Sequence, residues 1–95
     1  MTKTLKYKGS LANRNTAAQE RHQIEELAYK GEQVVLDYSE VSSLSGSYAD
    51  ELFGVFTQRH GAQALKSTLK VKGASQAVAH AIGQAIQQRM KAHAA

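Results

Sequence analysis

The chain has 95 residues, no cysteine, no proline, and twelve lysines and arginines against eight acidic residues, a net charge of +4. This length supports one domain with a single modest core, and the absent cysteines exclude a disulfide framework and thiolate chemistry. The charge favours anionic partners only mildly.

The opening residues, MTKTLKYKGS, lack the apolar run of a signal peptide, and no stretch is long and apolar enough to span a bilayer. A soluble, cytoplasmic protein is expected. From Lys3 to Lys8, Leu5 and Tyr7 alternate with Thr4, Lys6 and Lys8, the pattern of a half-buried strand, and Gly9 and Ser10 break it. A helix follows over Thr16 to Tyr29, capped by Asn15 or Thr16 and ended by Gly31. Ala17, Ile24, Leu27 and Ala28 form its apolar face, while Gln19, Glu20, Gln23, Glu25 and Glu26 face water.

Val34, Val35 and Leu36 are a short apolar run suited to the centre of a sheet, with the strand ending at Asp37. Ser42, Ser43, Ser45, Gly46 and Ser47 read as a turn. Ser47 precedes Asp50 by three, the spacing of a capping box, and Asp50 and Glu51 sit at the positive end of the helix dipole. Ala49, Leu52, Phe53 and Phe56 make one apolar helix face, and Arg59, His60 and Gly61 form a helix stop. Leu65 to Lys72 is a third strand. Gly73 turns the chain, and Ser75 caps a last helix with Val78, Ile82, Ala85, Ile86 and Met90 as its buried stripe. Residues 91–95 are expected to fray, which leaves a core of 3–90 in one domain.

The order β-α-β-α-β-α predicts a small α/β domain, because crossovers of this length join parallel strands. The sheet is expected to have three or four strands, mixed or parallel, with helices mainly on one face. Alternation places Lys6 and Lys8, and Lys66, Lys70 and Lys72, on the opposite face. Such lysines keep an open sheet soluble and blunt its edges. The functional alternative is a basic adaptor that binds nucleic acid or another anionic partner through phosphates, since no aromatic residues interleave to stack bases.

Other chemistry finds little support in the residues. Asp37 at a strand end suits a phosphoacceptor, but Lys8, Gly9 and Ser10 offer no acidic pair to hold magnesium; hydrogen bonding to the serine turn is the expected role. His22 and Glu25, three apart on a helix, lack a second close pair for a metal. Lys72-Gly73-Ala74-Ser75 is too short for a phosphate loop. No nucleophile, base and orienting group fall together, so no enzyme, cofactor or metal is expected.

The stretch VVLDYSEVSSLSGSYADELFGVF resembles the STAS-like domains of the DUF4325 type, whose pattern is close to V-V-L-D-F-S-G-V, a serine-rich turn, then F-A-D-E-L-F. SLANRNTAAQ is similar to the segment around an arginine that opens the family's first helix, here Arg14. The likeness runs from Ser10 to Ile86. It is more distantly similar to STAS domains, the anti-sigma-factor antagonists, in which a phosphorylatable serine begins the helix after the same strand and a GHKL-type ATPase kinase binds there. The resemblance implies a regulatory interaction module docking a GHKL-type ATPase or a sigma-factor regulator. Its partner surface would be Ser45, Gly46, Ser47, Tyr48, Asp50 and Glu51, within the stretch 42–52. Gly46 falls on the usual phosphoacceptor, leaving Ser47 or Ser45 as substitutes. Tyr38 and Tyr48 stand where the pattern has Phe, and Gly54 stands where a larger side chain is common. A homodimer through an exposed sheet edge is the remaining alternative.

Overall fold

Thr2–Leu11 (β1), Gln33–Leu44 (β2) and Leu69–Lys72 (β3) form a three-stranded, wholly parallel sheet in the order β1-β2-β3. The computed structural model describes residues 1–94. Two strands outrun the sequence pattern. β1 continues through Gly9 and Ser10, and β2 continues past Asp37 through the serines to Leu44.

The extension of β2 has a physical reason. Against β1 it carries one extra residue between Asp37 and Glu40 and another between Val41 and Ser43. Each extra residue reverses the facing of those that follow. Val34, Leu36, Tyr38, Val41 and Leu44 therefore all reach the core, although the last three are spaced by three. The run of serines and Glu40 between them lies exposed.

The helix Arg14–Tyr29 (α1) starts two residues before the expected position, because Asn13 is its cap and its side chain accepts from the Thr16 amide at 3.0 Å. Ala17, Arg21 and Ile24 are its buried residues, so a charge sits inside the apolar stripe. Gly46–Ala49 (α2), a π-helical turn at Asp50–Gly54 and Val55–His60 (α3) run on as one helix. Ala62–Thr68 (α4) is helical where the third strand was expected to begin. Its Ala, Gln, Leu and Lys are all good helix formers, and only Leu69 onward is strand. The last helix is Gln76–Ala94 (α5). Of the tail 91–95, it takes in residues up to Ala94, and residue 95 lies outside the described residues.

One hydrophobic cluster joins the sheet to the helices. Val34, Leu36 and Tyr38 meet Ala17 and Ile24 of α1, Tyr48, Leu52, Phe53 and Phe56 of the central helix, and Val78, Ile82 and Ala85 of α5. The alternate residues Thr4, Lys6, Lys70 and Lys72 are exposed, as one-sided packing requires. At Gly73, φ is 74° and a Cβ would lie 2.7 Å from that of Ser39, so the exit from β3 is tied to the first bulge of β2. Gly54 has a comparable role between helices. A Cβ there would lie 2.7 Å from Asp50 Oδ1, 2.9 Å from Arg89 Cγ and 3.2 Å from the Ala85 carbonyl oxygen. The close approach that this glycine permits is by α5 of the same chain.

Tyr38 is fully buried, its ring edge-on to Tyr7 at 5.6 Å and to Phe53 at 6.4 Å, yet its hydroxyl has no hydrogen-bond partner among the described residues. A buried, unpaired hydroxyl costs about 1–3 kcal/mol. Tyr38→Phe is expected to raise stability by about 1 kcal/mol in urea unfolding at constant m-value. An unchanged or lower midpoint would show that the hydroxyl is satisfied in solution.

Candidate functional site

The stretch 42–52 is built at the ends of β1 and β2. Ser45, not Ser47, caps the central helix. Its hydroxyl accepts from the Tyr48 amide at 3.1 Å and donates to the Ala12 carbonyl at 3.2 Å. Its own amide donates to the Leu11 carbonyl at 2.9 Å. The capping box expected at Ser47 and Asp50 does not form, because β2 reaches Leu44 and the helix starts earlier, at Gly46. The hydroxyls of Ser10 and Ser43 lie 2.8 Å apart and tie the two strand ends together. Ser42, Ser43, Gly46 and Ser47 are exposed there, alongside Ser10, Ala12 and Asn13.

The other expected contact residues point elsewhere. Tyr48 is fully buried, and its hydroxyl donates to the Glu20 carboxylate. Glu20, expected to face water, is therefore turned inward. Asp50 takes a two-point contact from Arg89, with Nε 2.8 Å from Oδ1 and Nη2 2.7 Å from Oδ2, and a third bond from Arg14 at 3.1 Å. Glu51 accepts from Arg14 at 3.0 Å and from Arg21, which also donates to the Glu51 carbonyl at 2.8 Å. These guanidinium contacts hold both carboxyls below the usual range, with Arg89 the larger cause at Asp50 and Arg21 at Glu51. Three arginines thus clamp the π turn to the start of α1 and to α5. Sequence reasoning reached Arg14 through the family pattern and missed Arg21 and Arg89. The signal for Arg21 was its position four after Ala17 and three before Ile24, inside the apolar stripe.

Asp37 accepts from the Ser39 amide at 3.0 Å, within the bulge and not in the 42–47 stretch, and this bond is the main cause of its lowered pKa. Lys72 lies 3.9 Å from it. Lys6 pairs with Glu40 at 2.6 Å, which raises the lysine pKa. Lys66 is on α4 and does not join the face, because the strand begins only at Leu69. The open face is therefore of mixed charge, with Lys8 and Lys70 in no ion pair among the described residues. His22 and His60 both approach the Glu25 carboxylate, at 3.4 Å and 2.7 Å, and Arg59 lies 3.8 Å from it. No group of His, Cys, Asp and Glu that could hold a metal occurs among the described residues. No helix among them is long and apolar enough to cross a membrane.

The site predicts a pH dependence. Burial pushes the half-buried Glu20 carboxyl up to about 7 from 4.5. A folded value above the unfolded one means that this contribution is full below pH 4.5 and lost as the pH rises through about 7. Asp50 and Glu51 act oppositely: their contribution is full above the ordinary carboxylate range and lost as the pH falls below it. Stability should peak in mild acid. Between pH 5 and 8 it should fall by about 1 kcal/mol, after discounting for the solvent that reaches Glu20. Melting curves across that range check this, and Glu20→Gln should flatten the decline.

A one-sided parallel α/β sheet with a capped, arginine-braced helix after its central strand is consistent with a STAS-like domain. Residues 17–79 match the family model DUF4325, described as a STAS-like domain of unknown function, and the chain belongs to that family. No curated protein and no solved structure matches the chain.

Proposed function

We propose that this is a non-enzymatic regulatory module of the cytoplasm that docks a signalling protein, such as a GHKL-type ATPase or a sigma-factor regulator, through the ends of β1 and β2 and the helix start. One observation carries the reading. Ser42, Ser43, Gly46 and Ser47 are exposed on a segment whose backbone is fixed from beneath by the Ser45 cap and by the bonds that Ser45 donates to the Leu11 and Ala12 carbonyls. A preorganised surface of small side chains loses little entropy when a partner binds. Tyr48 supports this surface from below, while Asp50 and Glu51, partly exposed and held by Arg14, border it. The lysine face is a weaker basis for function, because Asp37 and Glu40 sit among its lysines.

Of the two serines, Ser47 is exposed, whereas the Ser45 hydroxyl is engaged at the cap. With Gly46 at the usual acceptor position, no stoichiometric phosphorylation of Ser47 is expected, and an intact mass heavier by one phosphate would contradict this. The docking reading is tested by affinity capture from native cells with wild-type protein, Ser43→Arg and Ser47→Arg. Both side chains are exposed and outside the core; Ser43→Arg also removes the hydroxyl contact with Ser10, which Ser47→Arg keeps. Both variants should recover at least about tenfold less of a partner that hydrolyses ATP or regulates a sigma factor. Equal recovery by all three would place docking elsewhere.

A further inference from the structure

We infer that the free edge of β3 is a second docking surface, one that takes an extended peptide segment with alternating apolar and acidic side chains. β3 is the outer strand of the sheet, paired with β2 through Leu69–Lys72 and with no other strand among the described residues. Apart from the Leu69 amide, which donates to the Leu65 carbonyl, its other edge is open as a template for an added strand.

The two faces of that edge differ in chemistry. On the helix side, an apolar groove of about 140 Å³ runs between β3, α4 and α5. Phe53, Leu65, Leu69, Val71, Ile82 and Ile86 line it, with Lys66 at its rim. Val71 is 37% exposed there, a large apolar side chain left at the edge of a small domain. On the open side stand Lys70 and Lys72. Lys66 and Lys70 have no ion pair among the described residues, and Lys72 has only the 3.9 Å approach to Asp37.

An added strand must obey the alternation of the sheet. Every second side chain would fall over the groove and the others beside Lys70 and Lys72. The occupant that satisfies both faces is apolar at one set of positions and acidic at the other. β1 is also an edge, with Lys3, Lys6 and Lys8 exposed on it. The proposal is independent of docking at 42–47, which lies at the other end of β2 against β1.

The test uses the full chain and three short fluorescent peptides: alternating valine and glutamate, alternating valine and lysine, and a block peptide with all valines before all glutamates. Anisotropy should show the valine–glutamate peptide binding at least about tenfold tighter than either control. Amide shifts on binding should centre on residues 69–72. Lys70→Glu, an exposed change, should reverse the preference towards the valine–lysine peptide. Equal binding of the block peptide would mean charge attraction without strand addition and would overturn the proposal. So would absent binding, shifts confined to 42–47, or sedimentation showing that a second copy of the chain occupies this edge and resists the peptide.

Discussion

Tyr48→Ala is expected to cost the fold about 3–5 kcal/mol, because a fully buried ring is removed from between α1, the sheet and the central helix. A domain of this size has about 5–15 kcal/mol in total, so the variant would lose a large share of its stability and melt at a much lower temperature. Any partner binding would be lost with the fold. Tyr48→Phe separates the two effects. It keeps the ring and removes only the hydroxyl that donates to Glu20, at a cost of about 1 kcal/mol. Thermal melts of both variants, together with partner capture by the Phe variant, check this. Full binding by Tyr48→Phe with collapse of Tyr48→Ala is the expected pattern. A folded Tyr48→Ala that no longer binds would return Tyr48 to the contact surface.

The second large effect belongs to the arginine clamp. Arg21 is 5% exposed, and Glu51 supplies it with both a carboxylate and a backbone carbonyl. Glu51→Ala removes the carboxylate and leaves a buried guanidinium with the carbonyl and a 3.7 Å approach to Glu25. Stranding one member of such a pair costs about 3–5 kcal/mol. Arg21→Met should cost far less, about 0–1 kcal/mol, since an apolar chain of similar length fills the stripe between Ala17 and Ile24 while Arg14 still holds Glu51. The double variant should then be more stable than Glu51→Ala alone. Urea titrations of the four proteins would measure this. Equal costs for both single changes would mean that water reaches Arg21 and that the clamp is a surface network.

These two sites show where the sequence is legible and where it stops being so. The apolar face of Leu52, Phe53 and Phe56, the stripe of Val78, Ile82 and Ala85, and the alternation of Leu5 and Tyr7 were plain, because each keeps one period throughout. β2 runs seven residues past Asp37, beyond its legible pattern, because its bulges break that period. Tyr38, Val41 and Leu44, three apart among serines, have the composition of a turn. The strand expected over Leu65–Lys72 is shorter for the opposite reason: the alternation holds only from Leu69, and the residues before it are good helix formers. The family pattern carried what periodicity could not, namely Arg14 and the aromatic positions Tyr38 and Tyr48. It named residues without showing which way they point. Tyr48, Asp50 and Glu51 are close in sequence to an exposed surface, yet each is taken up by Glu20, Arg14, Arg21 or Arg89, all distant in the chain. Pairings of that kind depend on how α1 and α5 cross the central helix, and local sequence does not encode it.

The docking claim is tested most directly by amide hydrogen exchange of the chain, alone and bound to the captured partner. Exchange at each backbone position reports burial without any substitution. The account predicts new protection at residues 42–47 and at 10–15, where the ends of β1 and β2 meet the starts of α1 and α2. Protection confined to the lysine-bearing open face or to β3, with 42–47 exchanging as in the free chain, would contradict it.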